Sequence, residues 1–505
     1  MKFIKHLFAA LFLFSLVSST LAQPNPLQMK VILKKFEKYV KTEMPKWQVP
    51  GLAVAIVQGD KMIYSKGFGT KTAGKNDPVS AYTVFQIGST SKAFTSALVA
   101  ALVDEGQLKW DDKVLRHLPE FKMSDPWVNK EFLIEDLMAQ RSGLPPYSGD
   151  SQAVFGFSRE HIRKSLAYIK PVSSFRSRFA YQNNLFLAAA EIVERKTGLS
   201  WEANIQNRIF APLGMTSSST GSQAFATAEN VTSLHLAEGD KVRVLPRNWR
   251  YNEWCYTYGP AGGINSNVVD MSKWLRLQLG GGAFEGIRVI SQENLDFLHT
   301  PKVLALASTE GNSYYCQGWI YRESAPYPII WHNGGTTGCK TMVALVPQAG
   351  IGIVILSNLI SGLPDALAFQ FLDQYFGKPD RDRSGIALAA AKAQAAQEKA
   401  AEPQRPAAPA APLSLEAYAG FYQNDVYGRI KVTKQKGGLA IVFGPALSRM
   451  PLTHFDGNTF EASLPDFDEH YGQAQFVANP AGKLTSLVLT ELNNDGCGVF
   501  TRAKK

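Results

Sequence analysis

The chain has 505 residues, of which 45% are hydrophobic and 19% are charged. This length predicts two or more domains, and the apolar content excludes wholesale disorder. The formal net charge of +10 is spread without long basic runs, so it indicates ordinary surface charge and argues against a nucleic-acid partner.

The first 22 residues have the pattern of a signal peptide. Lys2 and Lys5 precede a short apolar run, and small residues lead to an expected cleavage site after Ala22. The run is shorter than the roughly 20 apolar residues that span a bilayer, so we expect no stable membrane span. A retained membrane anchor is the alternative. The favoured interpretation is an exported protein, either periplasmic or secreted.

Residues 23–384 predict a mixed domain of strands and helices. The predicted elements, in chain order, are a strand over 52–57, a strand over 61–68 that pairs with it across a Gly-Asp turn, helices over 92–105 and 182–196, and strands over 340–346 and 350–358. Strands at both ends with helices between them favour an α+β domain whose terminal strands share one antiparallel sheet.

A second domain is predicted after a linker. Residues 385–412 begin with an alanine-rich, helix-prone stretch and end in a proline-rich strap, a composition typical of linkers. Residues 413–505 alternate apolar and polar side chains between turn signals. Such alternation predicts a small all-β domain.

Neither the cysteines nor the histidines form a metal-binding pattern. Cys255, Cys316, Cys339 and Cys497 are an even number, which permits one disulfide in an exported protein. The eight histidines are scattered without an HExxH arrangement. We therefore expect neither a metal site nor a cofactor.

Ser89 and Lys92 form the first chemical motif, Ser-x-x-Lys. Ser89 lies where a strand or loop enters the first helix, at the positive end of the helix dipole, and Lys92 follows one turn later on the same face. A serine becomes a nucleophile when a base takes its proton, and a lysine can be that base when burial lowers its pKa. Alone the motif is weak, because a capping serine followed by a surface lysine gives the same pattern.

Tyr181 and Asn183 form a second motif just before the helix over 182–196. Two residues apart on an extended segment, they point the same way. The phenol can relay a proton, and the amide can hold a substrate carbonyl or Lys92. A partly buried aromatic followed by a helix N-cap is the alternative.

His332, Gly334 and Gly335 form a third motif at a predicted strand edge. The missing glycine side chains leave room for the backbone of a ligand. A glycine-rich hairpin with an incidental histidine is the alternative for this stretch taken alone.

In this order and at these separations, the three motifs resemble the serine hydrolases of the β-lactamase and penicillin-binding-protein superfamily. The closer resemblance is to class C-like peptidases and esterases, and it covers roughly residues 33–376. Pro212-Leu-Gly-Met215 and Ala261-Gly-Gly-Ile-Asn-Ser266 agree with it. The resemblance implies a β-lactamase/transpeptidase-like α+β fold with an antiparallel sheet flanked by helices. More loosely, residues 413–505 resemble the lipocalin-like β module that sometimes follows such hydrolases.

The resemblance also implies a role for each motif residue. Ser89 would be the acylated nucleophile, and Lys92 and Tyr181 would share the base and acid roles. Asn183 would position the substrate amide. The backbone N–H groups of Ser89 and Gly335 would form the oxyanion hole.

His332 and Gly334 complete the implied site. Gly334 would border the substrate. His332 occupies the position that is lysine in the β-lactamases themselves, and it could polarise Tyr181. An uncharged imidazole attracts a β-lactam carboxylate weakly, which favours a peptidase, amidase or esterase.

We therefore expect an exported serine hydrolase that acts by two-step acyl transfer on an amide or ester of a small molecule or peptide. Peptides that contain D-amino acids are one expected substrate class. The alternative is a β-lactamase or a slowly acylated penicillin-binding protein or sensor. A Ser-His-Asp hydrolase is disfavoured, because no Gly-x-Ser-x-Gly occurs and Gly149-Asp150-Ser151 lies in a polar turn.

Three points stay open at the level of sequence. The C-terminal β domain either anchors the enzyme to cell-wall material or shapes its cleft. The aromatic residues of the loop over 249–258 form either a cleft wall or ordinary packing. The oligomeric state is likewise open.

Overall fold

The computed structural model of the protein describes residues 23–239, 241–467 and 470–504. The predicted signal peptide, residues 1–22, lies outside this range. Among the described residues, no helix is both long enough and apolar enough to cross a bilayer.

Strands make up two large assemblies and three small pairs. In chain order the strands are β1 (Gly51–Gln58), β2 (Lys61–Gly69), β3 (Phe85–Gln86), β4 (His235–Glu238), β5 (Lys241–Val244), β6 (Asn265–Ser266), β7 (Ala283–Phe284), β8 (Ile287–Arg288), β9 (Val303–Leu306), β10 (Ser313–Tyr315), β11 (Ile320–Arg322), β12 (Ile329–Gly335), β13 (Lys340–Val346), β14 (Ile351–Ser357), β15 (Gly420–Asn424), β16 (Gly428–Gln435), β17 (Gly438–Phe443), β18 (Ser448–Asp456), β19 (Thr459–Ala462), β20 (Gln473–Ala478), β21 (Leu484–Leu489) and β22 (Val499–Ala503).

Helices lie mostly around the first assembly, and the last, short one packs against strand β16 of the second. They are α1 (Pro26–Glu43), α2 (Ser91–Asp104), α3 (Val114–His117), α4 (Pro126–Glu131), α5 (Ser151–Val154), α6 (Arg159–Ser165), α7 (Asn184–Thr197), α8 (Trp201–Ile205), α9 (Ala211–Leu213), α10 (Ser222–Thr227), α11 (Glu253–Thr257), α12 (Gly259–Gly262), α13 (Val268–Leu279), α14 (Gln292–His299), α15 (Leu363–Tyr375), α16 (Arg383–Ala401) and α17 (Leu415–Tyr418).

The first domain is built on an antiparallel sheet. Within the described ranges this sheet has eight strands in the order β2-β1-β14-β13-β12-β11-β10-β9. The early strand β1 pairs with the late strand β14, with Leu52 opposite Ser357. The terminal strands therefore share one sheet, and the predicted α+β fold class is confirmed.

Helices cover both faces of this sheet, which explains why β1 is apolar at almost every position. Leu52, Val54 and Ile56 pack with Phe36 of α1. The alternate residues of β1 face the other side, where they join the core that contains α2 and α13. A strand buried on both faces shows a continuous apolar run rather than an alternating one.

Helix α2 is the central helix of the domain. Ser91 to Leu102 are all buried, and Phe94 stacks on Trp274 of α13 with 3.9 Å between ring centroids. A helix that is apolar on all sides belongs inside a core. A 3₁₀ turn, Gly88–Thr90, leads into it and carries Ser89.

Strands β15 to β22 of the second domain close into a barrel, because the first of them pairs with the last. Aromatic side chains fill its interior, among them Tyr422, Phe443, Phe460 and Phe500. A barrel of eight strands is just wide enough for side chains to fill. The all-β prediction is confirmed, in the form of a closed and filled barrel.

The segment between the domains is a helix followed by an extended chain. Helix α16 is largely exposed, and at its start Ser384 accepts a hydrogen bond from Trp47 Nε1 at 2.8 Å. The proline-rich residues 403–412 then run without regular structure to the barrel.

The predicted helix over 182–196 begins two residues later than expected, at Asn184.

The cysteines give no disulfide. Cys255, Cys316, Cys339 and Cys497 are all buried and free. The structure therefore does not use the bridge that an even number of cysteines permitted.

The barrel packs directly against the first domain. The rings of Phe155 and Phe443 lie 4.0 Å apart, and the Phe155 carbonyl accepts a hydrogen bond from Ala446 N at 3.1 Å. His161 Nε2 lies 2.9 Å from the carbonyl oxygen of Val426. These contacts fix the barrel beside the segment 147–161.

Candidate active site

The glycines of the third motif bring β12 against the turn that carries Ser89. A Cβ atom on Gly334 would lie 2.0 Å from the carbonyl oxygen of Ile87, and one on Gly88 would lie 2.6 Å from Gly335 N. The space beside Gly334 is therefore occupied by the backbone of the chain itself and not, as expected, left for a ligand. Gly335 faces the cleft instead, close to Ile360.

The structure brings Ser89, Lys92 and Tyr181 together. Lys92 Nζ lies 3.2 Å from Ser89 Oγ and 4.6 Å from the centroid of the Tyr181 ring. The Ser89 hydroxyl is also close enough to Tyr181 to lower the pKa of that phenol, against the larger opposing effect of burial. A hydroxyl in contact with an amine and a phenol has both a proton acceptor and a proton relay at hand.

Burial sets the protonation states of this group. It lowers the pKa of Lys92 to about 7, because the protein interior solvates the ammonium poorly. It also raises the pKa of Tyr181 well above its usual value. Near neutral pH the lysine therefore exists partly as a free amine, whereas the tyrosine stays a neutral phenol.

Asn183 is held between two charged side chains. Its Oδ1 accepts a hydrogen bond from Lys92 Nζ at 2.6 Å, and its Nδ2 donates to Asp150 Oδ2 at 2.6 Å. Lys92 also donates to the Ala261 carbonyl at 2.9 Å. Both ends of the Asn183 amide are thus engaged within the protein, and its oxygen is bonded to Lys92. Its predicted role in positioning a substrate amide stays a prediction. Asn183 makes no side-chain capping hydrogen bond to α7.

His332 is neutral and bonded to Tyr315. Its Nε2 lies 3.1 Å from the Tyr315 hydroxyl, while its ring centroid lies 6.2 Å from that of Tyr181. Burial, reinforced by the nearby Lys92 charge, lowers the pKa of His332 to about 3. The imidazole therefore supplies no positive charge. Its Nε2 is bonded to Tyr315 rather than to Tyr181, and its Nδ1 lies 2.5 Å from the Asn333 carbonyl oxygen.

These residues border a cleft of about 570 Å³. Ser89, Tyr181, Asn183, His332 and Gly335 of the predicted site all line it. The cleft wall is largely apolar and aromatic. Further lining side chains are Tyr147, Asp150, Trp254, Tyr258, Ile320, Lys340, Ile360 and Phe467.

The aromatic residues of the loop over 249–258 serve both of the purposes that the sequence left open, cleft wall and ordinary packing. Trp254 and Tyr258 line the cleft. Trp249 and Tyr251 instead pack against Phe467 of the barrel, with the Trp249 and Phe467 rings parallel and 5.8 Å apart.

Sequence reasoning missed Asp150 and the barrel residues Asp495 and Phe467. Asp150 is half-buried beside Asn183, at the edge of the cleft, and desolvation of its carboxyl group raises the pKa to about 7. Asp495 Oδ2 accepts a hydrogen bond from the backbone N–H of Gly149 at 2.8 Å. The sequence indicated only that Asp150 lies in a polar turn just after Tyr147. Asp495 and Phe467 had no signal in the sequence, because they follow no motif.

The described residues contain no group of three or more His, Cys, Asp or Glu side chains arranged to hold a metal ion.

Comparison with known families divides the chain as the fold does. Residues 36–370 match the family described as Beta-lactamase. Residues 404–497 match a domain family described as being of unknown function, DUF3471.

Among characterised relatives, the chain is 28% identical over 375 residues to the unguisins hydrolase ungD′ of Aspergillus campestris, covering 68% of this chain and 64% of that protein. It is 24% identical over 490 residues to the unguisins hydrolase ungD of Aspergillus violaceofuscus, covering 88% and 86%. Protein flp of Staphylococcus aureus is 24% identical over 331 residues, covering 65% and 63%. The chain thus spans just under two thirds of the first of these relatives.

Two solved structures share the fold over nearly the whole chain. The octameric penicillin-binding protein homologue from Pyrococcus abyssi has a TM-score of 0.61 at 20% identity, covering 93% of this chain and 100% of that one. SurE with D-Leu has a TM-score of 0.55 at 17% identity, covering 95% and 100%. At these identities the likeness shows the fold alone.

Proposed function

Since the chain belongs to the beta-lactamase family of serine hydrolases, we propose that it hydrolyses an amide or ester bond by two-step acyl transfer through Ser89. The observation that carries this proposal is the 3.2 Å contact between Ser89 Oγ and Lys92 Nζ, made by a buried lysine whose pKa falls to about 7. The relatives named as unguisins hydrolases support a hydrolytic activity.

The first step forms an ester between Ser89 and the acyl group. The neutral Lys92 amine takes the hydroxyl proton as Oγ attacks the substrate carbonyl carbon. We assign the backbone N–H groups of Ser89 and Gly335 to the oxyanion. The bond to the leaving nitrogen or oxygen then breaks, and the proton passes from Lys92 through Tyr181 to that atom.

The second step releases the acid. Water enters the cleft, its proton passes through Tyr181 to the neutral Lys92 amine, and the hydroxide attacks the acyl carbon. The bond to Ser89 Oγ breaks, and the serine recovers its proton. In each half of the cycle Lys92 passes on the proton that it has taken, so the substrate and water are the reactants required.

We propose a peptide, simple amide or ester as substrate in preference to a β-lactam. The uncharged His332 offers weak attraction to a β-lactam carboxylate. Lys340 does line the cleft, but its ammonium lies 3.4 Å from Asp365 Oδ2 and is already paired. The structural relative described with D-Leu makes D-aminoacyl compounds worth including among the first substrates tested.

We also propose that the protein is exported. The proposal rests on the charged start, apolar middle and small residues of the segment 1–22.

A labelling experiment with a matched control tests the nucleophile. Ser89→Ala should abolish labelling by a serine-directed phosphonate and lower hydrolysis at least about 1000-fold. Ser91→Ala, two residues along, should keep both, because the Ser91 hydroxyl bonds only to the Ile264 backbone N–H among the hydrogen bonds described. Activity that survives in Ser89→Ala would refute the assignment.

A substrate panel tests the class. It comprises a chromogenic cephalosporin, D- and L-aminoacyl anilides and short-chain p-nitrophenyl esters. We expect kcat/KM for an anilide or ester to exceed that for the cephalosporin. Faster turnover of the cephalosporin would favour a β-lactamase, and a stable acyl-enzyme with every compound would favour a sensor.

A further inference from the structure

A chain of hydrogen bonds leads from the barrel into the catalytic group. Asp495 Oδ2 accepts from the backbone N–H of Gly149 at 2.8 Å. The next residue, Asp150, accepts from Asn183 Nδ2, and Asn183 Oδ1 accepts from Lys92 Nζ, each at 2.6 Å. One carboxylate of the second domain is therefore connected to the base of the first through three intervening residues.

We propose that Asp495 is a positioning residue for catalysis, which holds the turn at Gly149 and Asp150 and thereby fixes the amide that orients Lys92. The inference rests on the proposed acyl transfer through Ser89. It assigns the barrel a part in building the active site, beyond any role in anchoring.

The turn needs to be held from outside, because its backbone is strained. Tyr147 and Gly149 both have φ in the left-handed region, at 58° and 76°. That region is costly for a tyrosine and persists only where surrounding contacts determine it. Several hydrogen bonds from other parts of the chain hold it. Tyr147 N donates to the Tyr181 carbonyl, and the Tyr258 hydroxyl donates to the Gly149 carbonyl. Asn184 Nδ2 donates to the Ser148 carbonyl, and Gly149 N donates to Asp495.

Of these hydrogen bonds, the one to Asp495 is the one that crosses between the domains. The tilted Phe155–Phe443 pair and the Trp249–Phe467 stack also join the two domains. Both rings of the first pair are fully buried. Asp495 is therefore held at a fixed distance from the turn.

The charge of Asp495 reaches the same group. Burial is the main cause of the raised pKa of Asp150, and the neighbouring Asp495 carboxylate acts in the same direction. Lys92 acts in the opposite direction. Asp495 thus influences Asp150 through geometry and through charge, and the two effects can be separated by choosing the substitution.

Two substitutions of Asp495 separate them. Asp495→Ala removes the acceptor for Gly149 N–H, whereas Asp495→Asn keeps an acceptor oxygen and removes the charge. With a short-chain p-nitrophenyl ester, we expect Asp495→Ala to lower kcat about tenfold, with KM changed less than about twofold, since the loss falls on orientation of the base. Asp495→Asn should recover most of the rate. Asp425→Ala, which removes an exposed carboxylate from the same barrel, is the matched control and should stay within about twofold of wild type.

A double-mutant cycle tests the route. In an Asp150→Ala background the connection to Asn183 is already cut, so adding Asp495→Ala should change kcat less than about twofold. Full additivity of the two effects would overturn the proposal. So would an Asp495→Asn rate as low as that of Asp495→Ala, or an unchanged rate in Asp495→Ala.

Activity and labelling of the wild-type protein distinguish failure of the proposed function from failure of the positioning role. If the wild-type protein neither turns over the panel nor reacts with the phosphonate, the proposed function fails. If the wild type is active and labelled at Ser89 and Asp495→Ala matches it, then only the positioning role fails. Melting curves of each variant identify any loss of activity that comes from unfolding. If Asp495→Ala is unfolded while Asp495→Asn is folded and fully active, the result still supports a need for the hydrogen bond from Gly149 N–H to residue 495.

Discussion

The charge on Asp150 should control the pH at which the enzyme loses activity. Lys92 acts as a base when it is neutral, so activity falls as the pH drops through its pKa of about 7. Burial lowers that pKa, and the nearby Asp150 carboxylate opposes the lowering. Asp150→Asn removes the opposing charge, so the pKa of Lys92 should fall further and activity should persist to lower pH.

The size of the shift follows from the geometry. The Asn183 amide bridges the two groups through hydrogen bonds of 2.6 Å each, which puts the charges about 7 Å apart. At an effective dielectric constant of about 20, two unit charges at that distance interact by about 2 kcal/mol, or between one and two pKa units. Because the pKa of Asp150 is itself raised to about 7, the carboxylate is charged over only part of the range. We therefore expect a shift of about one pH unit.

The assay is the pH profile of kcat/KM for an uncharged p-nitrophenyl ester between about pH 5 and 9, which reports the ionisations of the free enzyme. The acid limb should move from near pH 7 to near pH 6 in Asp150→Asn. Glu253→Gln, which neutralises an exposed carboxylate on α11, should leave the midpoint where it is. An unchanged midpoint, or a shift to higher pH, would refute the electrostatic reasoning even if the rate itself changes.

Three further predictions concern the frame of the site. Gly334→Ala would place a methyl group 2.0 Å from the Ile87 carbonyl oxygen, so we expect kcat/KM to fall more than about tenfold, whereas Gly221→Ala, which meets nothing within 4 Å, should be nearly silent in the same assay. Phe155→Ala removes a fully buried ring that contacts Phe443 across the domains. It should lower the free energy of unfolding by about 3 kcal/mol, which is measured as a lower Tm. An unchanged Tm would mean that stability does not depend on this contact. Phe467→Ala removes a ring from the cleft wall. It should raise KM about tenfold for an ester with a bulky apolar acyl group, but change KM little for an acetyl ester. Equal effects on both esters would contradict a role of Phe467 in acyl-group binding.

The local elements were largely readable from the sequence. The strand over 340–346 matches β13 in full, and the predicted helix over 92–105 is observed at Ser91–Asp104. These succeed because apolar periodicity and helix-end signals are local properties of the chain. The helix over 182–196 was placed two residues early, because the Asn183 side chain is committed to Lys92 and Asp150 rather than to the helix.

The family and the order of its motifs were likewise contained in the sequence, and the family match confirms that prediction. The roles of the individual site residues remain predictions, with geometry that is compatible for Ser89, Lys92 and Tyr181. For Gly334 and His332 the structure gives a different reason for the residue type than the sequence did. The missing side chain of Gly334 leaves room for the Ile87 carbonyl oxygen, and His332 Nε2 is hydrogen-bonded to the Tyr315 hydroxyl.

The residue types determined which chemistry is available, since a serine, a lysine and a tyrosine in their motifs can be named from the chain alone. Tertiary structure decided the protonation state of those groups and the contacts that hold them in place. The pKa of Lys92 depends on burial, which is a property of the folded core rather than of any segment. The contact between Gly149 and Asp495 joins positions 346 residues apart, and no local pattern encodes a pair that meets only when two domains pack together.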